Sequence, residues 1–174
     1  MKRLVKHGEA PPEGAGTLRP GVVRPARMRD LDRVAALWSA ITNHHAHLDP
    51  LFTMRPDAGG ELRELLSALL RDRDAEILVY DADGDLPGMC IVRVDHAPPI
   101  LQEVERAEIT DLGVREDLRR RGIGHALVAE ALRWVAAAGV HRVEVQVAHG
   151  NAEGQAFWRA EGFGDFMDVL HKRL

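Results

Sequence analysis

What this chain has little of narrows it first. It holds one cysteine, Cys90, among 174 residues. A single thiol excludes an internal disulfide framework and suits a reducing cytoplasm, the compartment expected for it. Tyr80 is its only tyrosine, so one phenol is available for chemistry. No apolar run approaches the ~20 residues of a membrane span. Lys2, Arg3 and Lys6 have no apolar stretch behind them, so no secretory leader is expected. Excess positive charge is missing too. The net charge is −4 and the pI about 6.1, which leaves no general basic field for DNA or RNA. There is no internal repeat and no low-complexity tract.

What remains is globular: 45% of residues are hydrophobic and 29% charged. The length fits one domain with a sizeable core. Residues 1–19, with Pro11, Pro12, Gly14 and Gly16, read as a loose arm, and 20–174 as the domain. Val22 to Met28 reads as a short strand, bent or at an edge because of Pro25. Asp30 is expected to cap a helix with Leu31, Val34, Leu37, Trp38 and Ile41 on its apolar face. That helix runs into Asn43-His44-His45-Ala46-His47, followed by a loop with Pro50 and Pro56. A second helix carries Leu62, Leu65, Leu66, Leu69 and Leu70. Glu76–Tyr80 and Gly88–Val94 form a hairpin around Asp83-Gly84.

After Pro98-Pro99 a strand is expected over about 103–114, then a helix to Ala138 stopped by Gly139. The inward face of that helix is Ile123, Leu127, Ala131, Leu132 and Val135. Arg142 to Val147 alternates as a strand. Asn151 opens a last helix with Ala156, Phe157 and Ala160 inward, and Phe166 to Leu174 reads as a closing strand. This order gives an α/β fold, a mixed central sheet covered by helices.

The stretch Ala107 to Gly124, AEITDLGVREDLRRRGIG, carries most of the functional information. A strand feeds a polar turn, then Gly122, Ile123 and Gly124 open a helix. Such a turn binds phosphate. Glycine lets the backbone approach closely, the first helical amides lack internal partners, and the helix dipole favours negative charge. Arg119, Arg120 and Arg121 add positive charge beside those amides. A dinucleotide is the rival ligand. Leu127 stands where its fingerprint wants a third small residue, although Glu144 falls at the distance expected of a ribose-binding acid. Too little chain follows Gly124 for the rest of a doubly wound sheet, and no Gly-x-x-x-x-Gly-Lys-Ser/Thr loop is present.

Arg119-Arg120-Arg121-Gly122-Ile123-Gly124 resembles the acyl-CoA motif of the GNAT superfamily of N-acetyltransferases, Gln/Arg-x-x-Gly-x-Gly/Ala. Asn151, Phe157-Trp158 and Gly162-Phe163 resemble that family's second motif, and the element order agrees over about residues 20–174. The resemblance implies a mostly antiparallel sheet with one splayed parallel pair. It implies acetyl-CoA as co-substrate, with no metal, and direct transfer of acetyl to a primary amine on a small molecule or a protein. A homodimer through sheet edges or the Phe166–Leu174 strand is the family analogy.

Coenzyme A fits the residues physically. Its pyrophosphate suits the amides of Gly122, Ile123, Gly124 and His125. Its pantetheine arm resembles a peptide and pairs with a strand edge near Leu112, Gly113 and Val114. A bulge that splays the strand is expected at Asp111–Val114, with Gly113 as its marker. Asn151 would bridge cofactor amides or cap its helix, or do both. Phe157 and Trp158 would lie beside the pantetheine, though Trp158 also reads as core packing.

Acyl transfer to an amine needs the amine neutral, so a base is useful. Glu108 is the first candidate, because Ala107-Glu108-Ile109 resembles the segment bearing the glutamate of the histone-acetylating members; Asp111 is the second. Trp158 stands where many members have a tyrosine that protonates the leaving sulfur, and an indole N–H does not replace it. That substitution keeps a second reading open, a non-catalytic acyl-CoA binding module. Trp38, His45, Asp49 and Phe52 follow the first helix and are expected to border the acceptor. His44, His45 and His47 raise a metal site, which the lack of cysteine partners disfavours. Cys90, among Met89, Ile91 and Val92, reads as core.

Overall fold

A computed structural model describes residues 20–172. The expected N-terminal arm lies outside the described residues. Five strands form one sheet in the order β1-β2-β3-β4-β5. They are β1 Val22–Pro25, β2 Ala75–Ala82, β3 Asp85–His96, β4 Glu105–Val114 and β5 Val143–Val145. The first four pair antiparallel, and β4 pairs parallel with β5. The helices are α1 Leu31–Leu48, α2 Gly59–Leu69, α3 Ile123–Ala137 and α4 Ala152–Ala160.

Helices cover both faces, so the middle strands are apolar runs rather than clean alternations. Alternate residues still go to opposite faces. Leu78, Cys90 and Val92 join α3 in one cluster, with Ile123, Leu127, Val128, Ala131 and Val135. Ile77, Val79, Met89 and Ile91 join α1 and α2 in the other, with Val34, Leu62 and Leu66. The β2–β3 hairpin turns on Asp83 and Gly84, at φ 56° and 86°, as a primed two-residue turn requires.

Several expectations are corrected. Strand β1 stops at Pro25, whose ring nitrogen has no hydrogen to donate, and a single 3₁₀ turn Met28–Asp30 follows. Asp30 is the N-cap of α1, but its side chain does not cap the backbone amides of that helix. Its buried carboxylate accepts from the Arg27 amide and from the guanidiniums of Arg24 and Arg33. Leu65 on α2 is exposed. On α4 the buried side chain is Trp158, whereas Ala156 and Ala160 face solvent.

The closing strand is not formed across the described residues 166–172. Phe166, Met167, Val169 and Leu170 are exposed. A strand needs a partner edge, and β5 is only three residues long. There Arg159 donates to Asp165 at 2.7 Å, and Arg142 lies over the Phe166 ring. The shortness of β5 has its own cause, which lies in β4.

Candidate active site

β4 pairs with β5 only at Ala107–Val143, Glu108–Glu144 and Ile109–Val145. Beyond Ile109 the two strands part, and among the described residues the outer edge of β4 has no strand partner along Thr110–Val114. Against β3 the register slips at this level: Ile91 faces Asp111, but Val92 faces Ile109. Thr110 is therefore the extra residue of a bulge. The expected bulge at Asp111–Val114 lies earlier, at Thr110.

Gly113 has a different task. A Cβ there would lie 2.0 Å from Cδ1 of Ile41, so the missing side chain lets α1 settle on the strand.

The bulge changes the phase of the strand. Ala107 and Ile109 point into the α3-side core; so do Leu112 and Val114, three and five positions after Ile109. Without the extra residue Leu112 would point the other way. The same slip brings Glu108 and Asp111, also three apart, onto the face covered by α1. Glu108 accepts from Nε2 of Gln146 at 3.1 Å and sits level with Glu144.

Asp111 faces the middle and end of α1. The Trp38 side chain lies beside its carboxyl, and Oγ1 of Thr110 donates to it at 2.8 Å. Burial pushes that carboxyl above the usual carboxylate range, against the pull of Thr110, Trp38 and His45. Burial and the neighbouring His44 hold His45 below its ordinary value, while Asp111 pulls it upward. The His45 and Phe52 rings are 5.6 Å apart.

Trp38, Ile41 and His45 are three and four residues apart on α1, one above another on one face. Thus Trp38 and His45 lie near Asp111, with Phe52 against the His45 ring. Asp49 is occupied differently: it heads the 3₁₀ turn Pro50–Phe52, where its carboxylate accepts from the Leu51 amide at 2.9 Å. His44 and His47 lie on α1, exposed. Among the described residues no three His, Cys, Asp or Glu side chains gather as metal ligands.

On the other side of the splay lies the glycine turn. Gly122 is the N-cap of α3 at φ 81°, and Arg120 is also left-handed at φ 58°. The first helical bond runs from Ala126 to the Gly122 carbonyl. The amides of Ile123, Gly124 and His125 therefore have no partner within the helix. Nε of Arg119 donates to the Val114 carbonyl at 3.2 Å, tying the turn to the end of β4. Arg119 and Arg120 lie 3.9 Å and 3.5 Å from Glu153 of α4, while Arg121 is exposed.

The two motifs meet in space. A Cβ on Gly124 would be 3.3 Å from the Phe157 ring, and His125 lies 3.0 Å from Glu161. Asn151 caps α4, its Oδ1 accepting from the Gly154 amide at 2.9 Å. Trp158 is packed in the α3-side core, edge-on to Phe157 and Phe163. The hydroxyl of Tyr80 accepts from the Gly21 amide, which holds that phenol at the start of β1. Cys90 is buried, and burial pushes its thiol far above the ordinary range.

A splayed parallel pair beside a glycine-capped helix end is the geometry that a family comparison can test. The acetyltransferase (GNAT) family model matches residues 31–163. The chain belongs to the GNAT acetyltransferase family. It is 32% identical over 127 residues to a mycothiol acetyltransferase of Clavibacter michiganensis, a match covering 70% of this chain and 39% of the relative. The matched region thus spans about two fifths of that relative's length. It is 28% identical over 125 residues to the aminoglycoside N(6′)-acetyltransferase type 1 of Stenotrophomonas maltophilia, covering 68% of this chain and 78% of the relative. The solved aminoglycoside N-acetyltransferase AAC(6′)-Iy in complex with CoA shares the fold. Its TM-score is 0.72 at 17% identity, over 91% of this chain and 98% of that one.

Within this GNAT-family chain, four side chains of the site have roles that escaped sequence reading. Thr110 is both the bulge and a donor to Asp111. Ile41 fills the space over Gly113. Gln146 bonds Glu108, and Glu153 faces the arginines. Only Glu153 carried a local signal, two residues after the Asn151 cap in the first turn of α4. The others depend on where the β4 slip occurs.

Proposed function

We propose that residues 20–174 form one acetyltransferase domain that moves the acetyl group of acetyl-CoA to a primary amine on a small molecule. The observation that carries this reading is the parting of β4 from β5 after Ile109 directly beside the uncapped amides of α3. An exposed strand edge takes a peptide-like arm as an added strand takes its neighbour. The pyrophosphate would lie on the amides of Ile123, Gly124 and His125, with Arg119, Arg120 and Arg121 beside it. Arg119 and Arg120 would exchange Glu153 for phosphate. Leu112, Gly113 and Val114 would hold the pantetheine arm, with Phe157 alongside it. Trp158 would support Phe157 from the core.

The acceptor would enter from the α1 side, where Trp38 and His45 lie near Asp111 and Phe52 packs on His45. A carboxylate among aromatic rings suits an ammonium. The aminoglycoside-acetylating relative favours a small amine over a protein. Glu108 and Asp111, on one face after the bulge, would draw the ammonium toward the thioester and are the carboxylates placed to share its proton.

Melting with acetyl-CoA, CoA, NAD(H) and ATP in parallel tests the cofactor. A ligand at a hundred times its dissociation constant adds roughly 2.7 kcal/mol. A shift with the CoA compounds alone, followed by thiol release in a panel of amines, is expected. A shift only with NAD(H) or ATP would overturn the reading. CoA binding with no thiol release from any amine, and unchanged by Glu108→Ala and Asp111→Ala, would point to the non-catalytic acyl-CoA module instead.

A further inference from the structure

We propose that the acceptor is an α-amino acid, with its ammonium on Glu108 and its carboxylate on Arg93. This rests on the acetyl-transfer reading above and names the substrate class of that site. The argument begins with the sheet. On β3, Ile91 packs on the α1 side and Val92 on the α3 side, so Arg93 returns to the α1 side. On β4, Ala107 and Ile109 both enter the α3-side core, so Glu108 lies on the α1 side as well. Arg93 and Glu108 are direct partners across the two strands. Such partners hold their Cβ atoms about 5 Å apart on one face. The parting of β4 from β5, where the thioester would lie, begins just after Ile109.

The charges around this pair are already matched. Glu144 continues the row on β5, level with Glu108. Nη1 of Arg106 lies 3.7 Å from Glu144, and Nε of Arg142 lies 3.5 Å from it. Arg142 also meets Glu103 at 3.3 Å. Asp95, two residues beyond Arg93 on the same face, accepts from Arg106 at 2.8 Å. The Arg93 side chain is exposed and, among the described residues, makes no hydrogen bond or ion pair. Among those same residues the Glu108 carboxylate bonds only the neutral amide of Gln146. A cation and an anion therefore stand side by side without an ion pair between them.

An α-amino acid carries both complements on one carbon. Its carboxylate matches the fork of a guanidinium, which takes two oxygens at once. Its ammonium faces Glu108, with Asp111 next along the same face. That holds the α-nitrogen at the level where β4 and β5 part. Other acceptors fit less well. A simple amine leaves Arg93 without a counter-ion. A polyamine brings a second cation against the guanidinium, and like charges at this spacing repel.

Thiol release from acetyl-CoA tests this, with the protein amino acids on one side. Phenethylamine, cadaverine and kanamycin A, which carry amines but no carboxylate, stand on the other. Release is expected with at least one amino acid, well above that with the three amines. Arg93→Ala should lower kcat/KM for the preferred amino acid by about thirtyfold, carried mainly by KM. Arg93→Lys keeps the charge but not the fork and should fall between the two. Arg93→Glu should lose the amino acid further and gain with cadaverine. Each variant should melt like the wild type and keep its shift with CoA, which separates lost recognition from lost folding. No release from any amino acid overturns the proposal, whether or not kanamycin A is acetylated. So does an Arg93→Ala enzyme within threefold of wild type on the preferred amino acid. A wild type whose melting does not shift with CoA would instead sink the acetyl-CoA reading, a failure distinct from either result.

Discussion

Gly113→Ala is the sharpest probe of how this site is built. The added Cβ would fall 2.0 Å from Cδ1 and 2.2 Å from Cγ1 of Ile41. Ordinary carbon–carbon contact starts near ~3.5 Å, so the gap must open by about 1.5 Å. Isoleucine in a helix has one strongly preferred χ1, so the ring of contacts cannot relax by simple rotation. Either Ile41 leaves its rotamer or α1 lifts from β4. Overpacking of this kind costs about 1–3 kcal/mol. For a chain of this length that is a melting shift of about 2–12 °C. The functional effect should be selective. Lifting α1 moves Trp38 and His45, on either side of Ile41, but leaves the α3 cradle alone. KM for acetyl-CoA should stay near wild type, while kcat/KM for the acceptor falls tenfold or more, since misplacement by about 1 Å can cost a hundredfold. A double-mutant cycle decides the cause. Ile41→Ala makes room for the new methyl, so the double variant should recover at least about 1 kcal/mol relative to additivity. Gly113→Ala within about 0.5 kcal/mol of wild type, and additive with Ile41→Ala, would refute the packing argument.

Three further outcomes follow from other parts of the fold. Asp30→Ala removes a fully buried carboxylate from Arg24, Arg33 and the Arg27 amide, and should lower stability by about 3 kcal/mol in urea unfolding. Those partners hold Asp30 down to about 2 when folded; its stabilisation is therefore complete above the unfolded carboxylate range near pH 4 and drains away as pH falls toward 2, a limb that Asp30→Ala should lack. Gly122→Ala puts a side chain at φ 81° with open space around it, so the expected loss is strain alone, about 1–2 kcal/mol; a larger loss, or none, would contradict that. Cys90 should resist a thiol reagent in the native protein and react fully in denaturant; rapid native labelling would contradict its burial.

The features legible in the sequence were those whose physics is local. Gly122 needs a left-handed backbone, and the amides after it lack partners by the geometry of any helix end; both follow from Gly-Ile-Gly ahead of an apolar face. Asp83-Gly84 specifies its own turn, and Asn151 can reach its own helix amide three residues on. Two motifs at a set separation were enough to point to the family because each is a local device. Wherever the expectation failed, a partner from elsewhere in the chain decided. Phe166 to Leu170 has the residues of a strand but no edge of useful length to pair with. Asp30 has the residue type of a helix cap, yet two arginines compete for its carboxylate and prevail. Gly113 looks like a bulge marker, but its neighbour across the interface, Ile41, accounts for it.

Sequence alone determined the glycine turn that opens α3, the two-sided sheet and the candidate side chains on and after α1. Tertiary structure decided how those candidates combine. A strand read by strict alternation puts Glu108 and Asp111 on opposite faces; the single extra residue Thr110 reverses the phase and sets both under α1. Alternation is a property of one strand, whereas register belongs to a pair of strands. The meeting of Trp38 and His45 with Asp111 is therefore fixed by how β4 slips on β3 and by how closely Gly113 lets α1 approach.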